Sequence, residues 1–454
     1  MAERYYYLQP FVLFWWKMIN RMLMRVCVTP FVGLLLLTGL VFPLFSYAQE
    51  KEYIPDGTQG EQLEVLQADT VPSKWKDKRW RLFPGKFSTF KFGGGFLYEF
   101  AGYSQDAESK AQMDSLGTPL EPAFAVRDFR ITLSGQLKTK RTISWKAGFM
   151  YDDASRAWFV RETGVMIGVP KLWGSIFVGR TKEGFSLNKV MVGYAGWTME
   201  RQMALDVIPI LADGVKWLAF LPKQRIWWNV GIFTDWLSEG QSFSTYKWQT
   251  AGRFGWLPVY SPDDGVVVHV GVSYRYGQTK GGEIRVRSRP EADPAPQFID
   301  TGKFPADYSN QIGGEAYYRS GPFMAGSEVY MHRFHSLEAD DPVFVGGDIV
   351  ISYFLTGETR PYNTATGIFG FVPIKKSVFK GGPGAWEMLF RYSTLELNGG
   401  AIQGGKFWRI TPMVNWYLSK DVRLALVYGY GILDRFNMTG ATQFFQARIQ
   451  LTLM

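Results

Sequence analysis

Arginines and lysines recur at alternate positions inside aromatic-rich segments of this chain, and that spacing is its first chemical signal. In the segment 406–418, Arg409, Thr411 and Asn415 fall on one parity, while Trp408, Ile410, Val414, Trp416 and Leu418 fall on the other. Successive side chains of a β-strand point to opposite faces, so a period of two makes one face wet and one greasy. The same wet parity carries Arg130, Lys138, Lys146, Arg180, Lys182, Arg253, Arg275, Arg423 and Arg448. Fixed cations stabilise a passing anion. One Lys or Arg about 4 Å away is worth on the order of 4 kcal/mol at an effective dielectric near 20, so a few suffice and many would trap the ion. Each arginine also has an alternative use, pairing with an acid of the same face such as Asp128, Glu315, Glu328 or Glu387.

Residues for other chemistry are sparse. The histidines are His269, His332 and His335. His269 falls on the wet parity of a strand and is expected to hydrogen-bond there. His332-Arg333-Phe334-His335, followed by Glu338, Asp340 and Asp341, has the composition of a metal site. Its three-residue His spacing suits a helix face, however, and the context is a strand end. No metal, no other cofactor and no catalysis is expected. The single cysteine, Cys27, lies near the N-terminus, so thiolate chemistry is not expected of the exported chain. The formal charge is +9, of which Arg4, Lys17, Arg21 and Arg25 against Glu3 supply +3, leaving +6 beyond residue 48. No basic run or binding-module motif accompanies that excess, which argues against nucleic acid.

Strands must position these cations. In 126–138, Phe129, Ile131, Leu133 and Leu137 alternate with Asp128, Arg130, Thr132, Ser134, Gln136 and Lys138; in 143–151, Ile143, Trp145, Ala147, Phe149 and Tyr151 alternate with Ser144 and Lys146. A third segment, 87–103, is aromatic-rich. Thirteen more lie at 157–168, 173–182, 214–221, 226–234, 247–257, 265–277, 308–319, 322–334, 344–355, 385–396, 406–418, 421–431 and 442–453, making sixteen. Of these, 214–221 and 322–334 alternate least. Hydrophobic residues are 46% of the chain and aromatics 17%, with 49 glycines, as expected of strands with aromatic girdles and Gly-rich turns. No helical segment can cover the greasy faces, so lipid is their cheaper partner. The expected fold is all-β, a transmembrane antiparallel β-barrel of about 16 strands, wide enough for a water-filled channel, with both ends in the periplasm.

The connections 183–213, 278–307 and 356–384 are too long for turns, and loops of that length in a compact fold are usually functional. The first and third are expected to fold toward the lumen. At the N-terminus, the apolar run 26–45 follows Arg21 and Arg25 and ends at Ser46-Tyr47-Ala48, the pattern of a signal peptide over 1–48. Met18, Met22 and Met24 are alternative starts. Residues 49–86 read as a polar periplasmic tail and 87–454 as the barrel.

Several blocks resemble a known family. LTGETRPY (355–362), GAWEMLFRYSTLELN (384–398) and NWYLSKDVRL (415–424) are similar to signature blocks of the phosphate-selective porin O and P family. Weaker similarity runs through FVGRTKEGFSL, the turn at 199–201, VRSRPE and FIDTG, so it covers most of the chain after about Phe87. The resemblance implies an outer-membrane diffusion channel, homotrimeric and set in outer-membrane lipid, for inorganic anions such as phosphate or polyphosphate-like solutes. It also implies that Lys189 and Arg201, from NKVMVGYAGWTMER, contact the anion, that Arg127 occupies a paired-arginine position with Asp128 as its neighbour, and that Glu162 is the family's strand acid. The expected constriction is Lys189, Arg201, Arg180, Lys182, Arg127 and Arg130. The expected lumen lining is Glu162, Arg253, Arg275, Arg409, Arg423 and Arg448. Family members carry small hydroxyl residues where this chain has Val190, Met191, Val192 and Gly193. Hydroxyls donate and accept and can read a protonated phosphate, whereas Val and Met cannot. Anion preference is therefore expected ahead of phosphate specificity. A general porin for small solutes, or a closed barrel acting as a surface-binding scaffold, are the alternatives.

Overall fold

The computed structural model describes residues 82–152, 156–237 and 246–453. The signal peptide expected over 1–48 and the tail expected over 49–86, apart from its last five residues, lie outside the described residues. Sixteen antiparallel strands follow one another around a closed ring. They are β1 (Thr89–Gln105), β2 (Ala123–Gln136), β3 (Ile143–Asp152), β4 in two pieces (Ala157–Val160 and Thr163–Val169), β5 (Gly174–Thr181), β6 (Ala212–Leu221), β7 (Ile226–Thr234) and β8 (Tyr246–Ser261). The second half comprises β9 (Val266–Thr279), β10 (Tyr308–Ser320), β11 (Phe323–His335), β12 (Val343–Phe354), β13 (Ala385–Gly399), β14 (Ile402–Tyr417), β15 (Val422–Arg435) and β16 (Met438–Leu453). The ring closes where β1 meets β16, from Gly94↔Leu453 to Gln105↔Thr442, so no strand edge is left open.

The period of two is what the wall is built on. Along β16, Phe445, Ile449 and Leu451 are exposed on the outside, while Gln446, Arg448, Gln450 and Thr452 are buried on the inside. Outward Phe129, Phe149, Ile232, Val272, Phe390 and Leu426 continue the apolar outer band.

Three loops fill much of the interior. The first (182–211) and second (280–307) leave the rim opposite the one where β1 starts and β16 ends. The second carries its own hairpin, Glu283–Ser288 paired with Ile299–Pro305. The third (355–384) comes from the opposite rim, where the other connections are short turns such as 222–225 and 262–265. Apolar residues seat these loops. Phe185, Met203 and Leu205 of the first loop and Val286, Phe298 and Phe304 of the second pack with inward Tyr330, Phe334, Phe344, Phe407 and Phe444 of the wall. Trp197 of the first loop and Phe369 of the third meet inward Tyr317, Val350, Leu389 and Met413. The inner wall is therefore only partly wet. This explains the weak alternation of β11, whose inward Met324, Tyr330 and Phe334 face loop residues instead of water. It also moves the second loop, left between lumen and outer decoration on sequence grounds, into the interior.

Candidate functional site

Two bulges on nearby strands crowd extra charge onto the inner wall. On β2 the pairing steps from Leu97↔Asp128 to Tyr98↔Val126, which leaves Arg127 as an extra residue. Strict alternation would send Arg127 outward with Phe129. The bulge instead lets its guanidinium reach Glu200 of the first loop, donating from Nε and Nη2 at 2.9 and 3.0 Å. On β4, Phe149↔Val160 gives way to Lys146↔Gly164, so three residues of β4 oppose two of β3. Arg161 and Glu162 occupy that irregularity. The Arg161 N–H donates to the Gly148 carbonyl at 2.7 Å, and Glu162 accepts from Lys146 Nζ at 3.1 Å.

The inner face of β2–β4 and the first loop thus bring together Arg127, Arg130, Lys146, Arg161, Lys182 and Arg201 around Asp128, Glu162 and Glu200. Each acid is already engaged, Asp128 by Arg130, Glu162 by Lys146 and Glu200 by Arg127. Among the described residues, Lys182 and Arg201 have no carboxylate at ion-pair distance. Lys182 Nζ donates to the Met191 carbonyl at 2.5 Å and Arg201 Nε to the Asn188 carbonyl at 2.9 Å. Burial, reinforced by Arg201, pushes the Lys182 ammonium well below the ordinary lysine range; burial, reinforced by Arg127, pushes Arg201 down too. Positive charge held without a counter-charge is what a bound anion would relieve. This part of the wall also retains solvent access: the side chains of Lys146 and Arg127 are 45% and 33% exposed, whereas Arg253, Arg275 and Arg409 are fully buried.

The remaining basic residues expected at the site are engaged within the protein, most of them in holding loops. Lys189 is buried with its ammonium 2.7 Å from Glu183, which also takes Arg275 at 3.0 Å. Arg180 is buried 3.7 Å from Asp213. Arg253 joins Glu315 at 2.9 Å to the Gly367 carbonyl of the third loop at 2.8 Å. Arg409 donates to the Pro290 carbonyl of the second loop at 2.6 Å, and Arg423 bonds Gln450 and the Gly196 carbonyl of the first. Arg448 bridges Glu99 and Glu200. His269 lies between Glu315 and Tyr362 as an inward hydrogen-bonding residue.

Sequence reasoning passed over Arg161, Arg360 and Arg391. Arg360 links the Ala195 carbonyl at 3.0 Å to Glu387 at 2.8 Å, and Arg391 donates to the Glu200 carbonyl at 2.8 Å. Arg391 shares inward parity with Glu387 and Ser393, so alternation could have found it. Arg161 has the inward parity of the first piece of β4 and Glu162 that of the second, so a single alternation over the strand cannot give both.

Comparison with known proteins agrees with this architecture. The chain is 13% identical to the anion-selective porin from Comamonas acidovorans, with a TM-score of 0.52 over 81% of this chain and all of that one. The outer membrane channel DcaP of Acinetobacter baumannii gives a TM-score of 0.52 at 9% identity over 82% of this chain and 99% of that chain. At these identities the likeness is one of fold. A curated but uncharacterized protein of Caulobacter vibrioides is 31% identical over 181 residues, 39% of this chain, which spans only 36% of that relative's length. Residues 90–453 match the sequence profile of the family described as phosphate-selective porin O and P. With that match running from the first strand to the last of a closed sixteen-stranded ring, the chain belongs to this family of outer-membrane porins, which are channels and not enzymes.

Proposed function

We propose that this protein is a passive outer-membrane channel that favours anions and takes phosphate-like oxyanions by charge more than by hydroxyl recognition. The observation that carries this reading is Lys182 and Arg201 of the first loop, two basic groups without carboxylate partners among the described residues, beside a stretch of inner wall that keeps solvent access. Discrimination of phosphate from other oxyanions is weak on this reading. The 190–193 segment has no hydroxyl side chain, and the nearby Tyr194 hydroxyl is already given to Asp128 at 2.9 Å. By resemblance to the family the working unit is a homotrimer, and the apolar outer band faces acyl chains.

Reversal potentials in a salt gradient across a planar bilayer test the reading. Wild type is expected to be anion-selective, with chloride current reduced by added phosphate, and Arg201→Gln and Lys182→Gln to lower the anion-to-cation permeability ratio several-fold. A cation-selective wild type would reject it. The buried interior favours a second reading, a barrel occluded by its own loops that serves as a scaffold. Absence of any unitary conductance from refolded protein would select that one.

A further inference from the structure

The geometry assigns Arg161 a specificity role: we infer that its guanidinium is what lets this pore prefer oxyanions to halides. The inference rests on the anion-channel reading above. Four features converge on this side chain. The β4 bulge puts Arg161 beside the inward Glu162, and its charge acts on Arg130, Asp128 and Arg201. Opposite it on β3 stands Gly148, paired with Thr132. A Cβ at Gly148 would come within 3.1 Å of the Glu162 carbonyl oxygen and 3.5 Å of the Arg161 Cβ, so glycine leaves the notch into which the arginine is rooted. The two nearest acids are committed elsewhere, Glu162 to Lys146 and Asp128 to Arg130 and Tyr194. Arg161 Nε is nevertheless buried and has no hydrogen-bond partner; the same is true of Arg130 Nε, whose guanidinium however already holds Asp128.

A charged donor left in that condition calls for an acceptor from outside the chain. Lys182 supplies a compact ammonium to the same space, and Arg201 a guanidinium whose Nε is already given to the Asn188 carbonyl, whereas the Nε of Arg161 is unspent. A guanidinium adds parallel N–H groups at a fixed spacing. Two oxygens of a phosphate, sulfate or carboxylate take these along two straight hydrogen bonds, whereas a spherical halide must accept both at one centre along bent ones.

The test compares wild type with Arg161→Gln, Arg161→Lys and Arg201→Gln in planar bilayers, using phosphate block of chloride current and the reversal potential as separate readouts. Heat-modifiable migration in gels reports whether each variant has closed its barrel. Arg161→Gln is expected to weaken phosphate block at least tenfold while lowering the anion-to-cation ratio less than Arg201→Gln does. Arg161→Lys is expected to recover the ratio but not the block, which separates fork geometry from charge. Wild-type block in Arg161→Gln, or full block in Arg161→Lys, would overturn the assignment; if Arg161→Gln fails to close, Arg161→Lys alone decides. A wild type without anion preference would instead overturn the channel reading, and this assignment with it.

Discussion

Lys189 and Arg201 leave the same loop in opposite circumstances. Arg201 keeps the end of its guanidinium beside the exposed Gly193, where a Cβ would lie 3.5 Å from Nη2, while Lys189 is 1% exposed against Glu183. Burial pushes the Lys189 ammonium down to about 8, an effect Glu183 only partly offsets. Burial would raise Glu183, but Arg275 and Lys189 outweigh it and hold the acid below its ordinary range. The fold then binds fewer protons at Lys189 than the unfolded chain does between pH 8 and the ordinary lysine value of 10.5. Stability should therefore rise with pH across that window, by up to about 3 kcal/mol. Urea unfolding from pH 7 to 10.5 is expected to show the rise in wild type and a smaller one in Lys189→Met, because the lowered Lys182 acts in the same direction. Arg448 makes the complementary case. It sits between Glu99 and Glu200, so Arg448→Met should leave the buried Glu99 unpaired and cost about 3–5 kcal/mol, read as a lower urea midpoint. Residue type and order could be read from the sequence here. Which cation keeps a free face could not, because that depends on Glu183 and Glu200 folding back onto the loop and the wall.

The strands were the most legible elements, because a two-residue period survives wherever the inner face meets polar groups. It fades in β11 and β6, where inward Phe334, Tyr330 and Leu218 are buried apolar residues. The bulges were illegible for a related reason, since one inserted residue shifts parity without changing composition. The third loop was expected to enter the lumen, yet its rim was not foreseen, because short turns are the norm at the end where the chain starts and stops. Its seating turns on Gly367, which adopts φ +63° and offers no room: a Cβ there would lie 2.2 Å from the Trp227 ring. Gly367→Val should therefore dislodge the loop, seen as faster proteolysis within 355–384 and a larger unitary conductance than wild type.

For the molecule as a whole, the surplus of positive charge predicts little by itself, because most inward arginines of β8, β9 and β13–β16 are tied to acids, glutamines or loop carbonyls. The interior is lopsided. The loops seat their apolar residues on one arc of the wall, and the accessible charges line the other. Opposed insertion adds a second asymmetry, since the first loop reaches in from one rim and the third from the other, meeting where Arg360 donates to the Ala195 carbonyl and Phe369 packs on Trp197. The two mouths of the conduit are therefore unlike, and an ion arriving from either side climbs a different free-energy profile. Current–voltage curves in symmetric salt should bend, passing more current at one polarity than at the other, and the curvature should diminish when Gly367→Val withdraws the obstacle from one entrance.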